Sequence, residues 1–395
     1  MKITKVETVR VQEFDQAFWV EVHTDTGLVG LGETYYAPRA LAAIVHDVFA
    51  PRLIGQDPLA IDRHWHNMFR QADAWGYGGA EARAISALDI ALWDIAGQAT
   101  GQPIYNLLGG ACRDKIRVYE TYSGDRLAND PVGLAKELLA EGITAVKVYP
   151  FAHTDLSAHG QHISPQDIER GLEPIKKIRE ALGNAIEIAH DGGARWDLVD
   201  AIRIAQAMEP YDILWQEELL STMDVDAHVK LARETKTPIC SSERLLTRFR
   251  FHEYLEKGAV EIVMPDLVWT GGISETKKIS TMAEAYQLPV APHDCTGPVN
   301  EVACAHICMN VPNIMIMEST RSYYKGWYGK IIEPNVRIEN GFLFAPEGPG
   351  LGVRLRRDVK ERPDATVAVT DRPGPGPVWS LYPFAPSKPL TPKII

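Results

Sequence analysis

From about residue 117 onward the chain repeats one unit, a short β-rich run followed by a helical segment that alternates polar and apolar residues. The runs are "IRVYETY", "AVKVYPF", "IEIAHDG", "ILWQEEL", "PICSSE", "EIVMPDL", "LPVAPHD" and "IMIMEST". Eight strands alternating with helices predict a parallel sheet, and that number favours closure into a barrel over an open doubly wound sheet. No long helix follows the eighth run. Instead "NGFLFAPEGPGLGVRL" returns to short strand-like and turn-like pieces, expected to go back to the N-terminal unit.

That unit opens with three strand-like runs, "KITKVETVRVQ", "AFWVEVHTD" and "GLVGLGE", the last two joined by the turn "TDTG". In "AEARAISALDIALWDIAGQ", Ile85, Leu88, Leu92 and Ile95 recur at helical steps, so a helix burying one face is predicted. The unit ends near "GQPIYNLLGG". The last stretch is rich in proline and is expected to be extended.

Barrel active sites form where strands end. Asp191 ends the third run, Glu217 the fourth, Glu243 the fifth, Asp266 the sixth, His293 the seventh and Glu318 the eighth, at steps of 26, 26, 23, 27 and 25 residues. One βα unit separates each from the next, so all six side chains are predicted to meet at one mouth. This accounts for "LWQEELL", where Glu217 and Glu218 stand in an apolar run with no neighbouring Lys or Arg. A buried carboxylate needs a compensating partner from elsewhere in the chain, either a basic side chain or a metal. Three acids from adjacent strands suit a hard octahedral cation, with Mg²⁺ favoured; a rim network of structural acids is the bland alternative. Glu218, on the other side of the pleat, needs a different partner.

His293 gains its weight from Asp266, one strand back: a carboxylate on one imidazole nitrogen fixes the tautomer and leaves the other free to take a proton. Lys147 and Tyr149 end the second run, facing inward at alternate positions. A lysine beside a metal held by carboxylates can stabilise a substrate carboxylate; the bland alternative is that it only neutralises acids. Such a set suits removal of a proton α to a carboxylate through an enediolate. Glu318 is expected near the substrate carboxylate, with a pKa raised by the surrounding acids so that it can donate a hydrogen bond.

The formal charge of −11 and the scattered basic residues argue against nucleic acid and anionic membrane, and favour a small-molecule substrate. No run approaches the length of a membrane span, and the start lacks the apolar core of a signal peptide, so a cytoplasmic protein is expected. Cys112, Cys240, Cys295, Cys304 and Cys308 contain no C-x-x-C pair and are expected to be reduced thiols in or near the core.

In "ALWDIAGQATGQPIYNLLGG", "SERLLTRFRF", "PDLVWTGGISETKKISTMAEAY" and "APHDCTGP" the sequence resembles the enolase superfamily, in its mandelate racemase group, most closely the sugar-acid dehydratases. The resemblance implies a (β/α)7β barrel, a modified TIM barrel within the α/β class, capped by an α+β domain. The expected division is a cap at 1–116, a barrel at 117–322, a segment at 323–372 that returns to the cap, and a tail at 373–395. It further implies Mg²⁺ on Asp191, Glu217 and Glu243, His293 with Asp266 as the dyad, and Glu318 near the substrate carboxylate. Specificity loops are implied around Phe14 to Phe18 and Trp75 to Gly79, and a homo-oligomer is expected.

Three positions depart from the family. Lys147-Val148-Tyr149 replaces the Lys-x-Lys common on the second strand, which fits elimination better than racemisation, with Tyr149 left open as an acid or base. Gly193 stands where galactonate dehydratases carry a histidine as general acid, which leaves His293 as the first choice for that role and Tyr149 as the second. Leu219 replaces the usual proline, with only a local change expected. The implied reaction is dehydration of an aldonate-type sugar acid to a 2-keto-3-deoxy acid. The alternatives are a racemase, epimerase or cycloisomerase working through the same enediolate, or a non-catalytic relative.

Overall fold

The computed structural model describes residues 1–74, 76, 78–122, 124–152, 162–374 and 393–394. The proline-rich stretch at 375–392, Trp75 and Tyr77 lie outside the described residues.

The N-terminal unit is an antiparallel sheet of β1 (Ile3–Val11), β2 (Ala17–Thr24) and β3 (Val29–Tyr35). Its principal helix, Ala80–Thr100, lies against β3. Ile85, Leu88, Leu92 and Ile95 are buried as their spacing predicts, but so are Asp89, Ile90, Asp94 and most of the other residues. The reason is that the helix is sandwiched: β3 covers one side and residues 267–285 of the barrel the other. Close contact with β3 depends on Gly30 and Gly32, where an added Cβ would sit 2.0 Å from the Ala91 carbonyl oxygen and 1.8 Å from that of Ala87.

The barrel strands are β4 (Ile116–Tyr122), β5 (Ala145–Val148), β6 (Glu187–Asp191), β7 (Gln216–Glu217), β8 (Ile239–Ser241), β9 (Ile262–Val263) and β10 (Met317–Ser319). β4 through β9 pair in parallel in chain order, and β10 returns to pair with β4. The seventh run, "LPVAPHD", forms no continuous ladder. It is held by isolated parallel bridges, Val263 to Val290, Asp266 to His293 and Val290 to Ile314. Pro289 and Pro292 have no N–H to donate, so one link is lost toward each neighbour, while the Val290, Ala291 and His293 N–H groups still bond. A four-residue helical turn, Arg321–Tyr324, follows β10, and the later helical pieces among the described residues, Tyr328–Lys330 and Arg357–Glu361, are similarly short.

The chain after the barrel divides. Phe342–Phe344 pairs antiparallel with β4 at Arg117 and Ile116, whereas Ala365–Thr370 pairs antiparallel with β1. The "NGFLF" piece therefore stays with the barrel, as a strand paired beside β4 with Leu343 buried.

Polar side chains fasten the N-terminal unit over the sixth and seventh strand ends. Asp89 accepts from the backbone N–H and hydroxyl of Ser274 at 3.0 and 2.6 Å, and Thr34 donates to the Val268 carbonyl at 2.7 Å. Glu33 accepts from the Trp19 indole at 2.7 Å and from the Asn300 N–H at 3.1 Å, at the start of the helix Pro298–Asn310. Each bond crosses from one unit to the other or buttresses one that does, so the mouth of the barrel has a fixed roof. Among the described residues, no helix is long and apolar enough to cross a membrane.

Candidate active site

Asp191, Glu217 and Glu243 end neighbouring strands, and each offers one carboxylate oxygen within 4.8 Å of the others. All three are buried. Each is held from outside the cluster: Asp191 Oδ1 accepts the Gly193 N–H at 2.7 Å, Glu217 Oε2 the Trp215 indole N–H at 2.8 Å, and Glu243 Oε1 lies 3.4 Å from Arg244 Nε. Trp215 precedes Glu217 by two residues on one strand, so both side chains share a face. Three hard oxygen donors this close together, in a dry setting, match the donor set of a divalent cation.

Lys147, fully buried, projects from β5 into the same space. Its ammonium pairs with Glu217, lies 2.8 Å from Glu318 Oε1 and 3.4 Å from Asp191 Oδ2. Burial alone would lower its pKa, but the Glu217 and Glu318 charges drive it well above the ordinary lysine value. Tyr149 follows at the strand end, where burial pushes the phenol well above its usual range. It therefore keeps its proton at neutral pH.

The seventh-run bridge sets Asp266 beside His293. Nδ1 of His293 lies 2.7 Å from Asp266 Oδ2, and since a carboxylate only accepts, Nδ1 carries the hydrogen. Asp266 is itself fixed, because its other oxygen accepts the Trp269 N–H at 3.1 Å. Nε2 faces the acids, 3.2 Å from Glu243 Oε2 and 3.7 Å from Glu318 Oε2.

Glu318 corrects an expectation. Burial raises its pKa, but the Lys147 ammonium and His293 overcome that effect and, with the Thr121 hydroxyl, hold the carboxyl down to about 2. Its second oxygen accepts the Asp294 N–H at 2.9 Å. Glu318 is therefore an anion, not a shared acid.

Glu218 finds the separate partners that its place on the pleat requires. Its Oε1 accepts from the Ser241 hydroxyl at 2.5 Å and the Ser242 N–H at 2.8 Å, and Arg244 Nε lies 3.7 Å from Oε2. His190 points away from the mouth, with Nδ1 2.5 Å from Gln216 Oε1 and its ring edge-on to Phe151. Gly193 has φ +63, a left-handed conformation that disfavours a side chain there, and its N–H is committed to Asp191.

The cysteines also differ from expectation. Cys240, Cys304 and Cys308 are buried, but Cys112 is exposed. Cys295, only partly buried, has its thiol 3.4 Å from His293 Nε2. Its place two residues after His293 was the available signal. Trp215 and Thr121 were likewise unrecognised, as were Arg83 and Trp269, which stack beside His293.

Residues 4–109 match the mandelate racemase / muconate lactonizing enzyme N-terminal domain, and residues 131–359 match the enolase C-terminal domain-like family. The chain belongs to the enolase superfamily, in its mandelate racemase group. It is similar to a solved enolase of the mandelate racemase subgroup from Agrobacterium tumefaciens, with 42% identity, a TM-score of 0.88 and coverage of 94% of this chain and 99% of that one. A D-xylonate dehydratase from Haloferax volcanii is 33% identical over 91% of this chain and 88% of its own length. A D-galactonate dehydratase from Ralstonia nicotianae is 34% identical over 96% and 97%. With these relatives, this enolase-superfamily member is an enzyme of the hydro-lyase class.

Proposed function

We propose that this enolase-superfamily protein is a Mg²⁺-dependent dehydratase that converts an aldonate-type sugar acid into its 2-keto-3-deoxy product. One observation carries the reading: the Asp266-oriented His293 faces the triad of Asp191, Glu217 and Glu243, while β5 offers Lys147 but no second lysine. The dehydratase relatives support the substrate class. In this reading residues 1–116 form the cap and 117–322 the barrel.

Asp191, Glu217 and Glu243 would hold the cation, whose three hard oxygen donors suit Mg²⁺. When bound, the cation supplies positive charge for the substrate carboxylate as negative charge builds on it. Lys147 adds its ammonium to the same end of the substrate, and Glu318 keeps that ammonium in position. His293 Nε2 takes the α-proton, while Asp266 holds Nδ1–H and steadies the imidazolium. The imidazolium then returns the proton to the hydroxyl departing from the β-carbon, which leaves as water. Tyr149, which retains its phenolic proton, is the second candidate donor.

The test is a screen of sugar acids with Mg²⁺, with products trapped by semicarbazide. An α-keto acid from at least one acid is the expected result. Epimer formation without keto acid would replace dehydration with the isomerase alternative.

A further inference from the structure

At the mouth of the site the N-terminal unit contributes a cation that the proposed chemistry leaves unused. Arg83, in the first turn of the helix Ala80–Thr100, lies with its guanidinium carbon 4.3 Å from the Trp269 ring centre. Trp269 in turn packs on His293, with ring centres 5.1 Å apart. The guanidinium is thus two stacking steps from the proposed base, the length scale of a short sugar acid extending from it.

Arg83 donates a hydrogen bond to the Tyr35 carbonyl at 3.1 Å, and among the described residues no carboxylate lies at ion-pair distance from it. The contrast with Arg244 is direct, since that arginine is matched to Glu243 and Glu218. The guanidinium is partly buried and has donors beyond the one that meets Tyr35. Burial accordingly pushes its pKa below the ordinary value. Two further features converge on it. The Trp269 indole N–H, in a side chain only 4% exposed, has no acceptor among the described residues. Tyr36 and Ala37 both hold left-handed backbone, φ 68 and 52, which keeps an exposed Tyr36 ring 5.3 Å from the guanidinium and 5.6 Å from Trp269. A cation stacked against two rings beside His293, with no carboxylate paired to it among the described residues, suits an anionic oxygen group.

We infer that Arg83 binds a second carboxylate at the far end of the substrate, so that the preferred sugar acid is a diacid. This rests on the dehydratase reading for the near carboxylate and replaces the aldonate of that reading with a sugar acid that carries a carboxylate at each end.

Two measurements test it. In turnover, a six-carbon sugar diacid is expected to have a higher kcat/KM than the monoacid of the same stereochemistry. Arg83→Gln should lower the diacid value by about a hundredfold and the monoacid value by about threefold or less. A wild-type preference for the monoacid, or equal losses on both acids, would overturn the inference, the latter by reducing Arg83 to a packing role. In binding, calorimetry with Mg²⁺ present compares adipate with hexanoate, neither of which can react. Tighter binding of adipate, lost in Arg83→Gln, upholds the second carboxylate site even if no acid yields an α-keto product. Equal binding of the two overturns it whatever the keto-acid screen returns.

Discussion

The Lys147 ammonium lies 2.8 Å from Glu318 Oε1, in a site where both side chains are fully buried. The pair explains why an acid surrounded by other acids stays ionised: the lysine and His293 outweigh the burial penalty. In the proposed reaction Lys147 would therefore have two tasks, balancing the carboxylates and meeting the substrate. Lys147→Met is expected to reduce kcat/KM by at least about a hundredfold, since a charged contact in a dry site is worth roughly 3 kcal/mol. It should also destabilise the fold by about 3–5 kcal/mol by leaving Glu217 and Glu318 uncompensated. Steady-state kinetics and urea melts separate the two effects. Near-normal turnover in a folded variant would reduce Lys147 to a charge-balancing role.

Glu217 stands at the centre of the proposed cation site, with Asp191 and Glu243 on either side and Trp215 holding its second oxygen. Glu217→Gln keeps the shape and the Trp215 hydrogen bond but removes the charge that a hard cation needs. Calorimetric titration with Mg²⁺ should show binding in the wild type and at least about a tenfold loss in the variant. Unchanged affinity would remove Glu217 from the ligand set.

Stability should fall as pH rises through neutrality. Burial pushes Glu33 and Glu120 up to about 8 and Asp89 to about 7. Unfolded, these groups release their protons near pH 4, whereas the folded chain keeps them. Their contribution is therefore complete below about pH 4 and is lost as pH climbs through the folded values. Glu318 works in the opposite sense, and its contribution is lost only as pH falls from about 4 through about 2, so the two windows do not overlap. The urea midpoint should be lower at about pH 8.5 than at about pH 6, and Glu120→Gln should narrow that gap. A midpoint that rises over this range would contradict the buried, protonated state of these acids.

Much of this site was legible in the sequence because a barrel converts regular spacing into convergence. Asp191, Glu217, Glu243, Asp266, His293 and Glu318 each close one βα unit, and they meet at one mouth. What the spacing could not convey is what side chains meet across the cap and barrel. Arg83 and Trp269 stack although their chain positions are far apart, and nothing local in either segment announces the contact. The charge on Glu318 is hidden for a related reason: the run order shows the neighbouring acids, but not the Thr121 hydroxyl or which acids the Lys147 ammonium meets. In the seventh run the prolines were visible, yet their cost to the ladder appears only when the partners of Val290 and His293 are known.

His293 is expected to be the base, and the geometry allows this role to be separated from that of acid. Asp266 holds Nδ1 at 2.7 Å, leaving Nε2 as the atom that can take a proton, and β5 offers no second lysine to replace it. At Gly193, where a histidine acid would stand, the backbone is left-handed and its N–H is bound to Asp191. His293→Asn should therefore abolish dehydration, and with it exchange of the substrate α-hydrogen for deuterium from solvent, by at least about a thousandfold. If His293 were only the acid, with Lys147 or Tyr149 as base, the variant would stop dehydrating yet continue to exchange, because enediolate formation does not need the leaving group protonated. Proton NMR in D₂O distinguishes the two cases, and retained exchange would move the base to β5. Both residues there are held protonated, Tyr149 by burial and Lys147 by the Glu217 and Glu318 charges, so retained exchange would call for substituting each in turn.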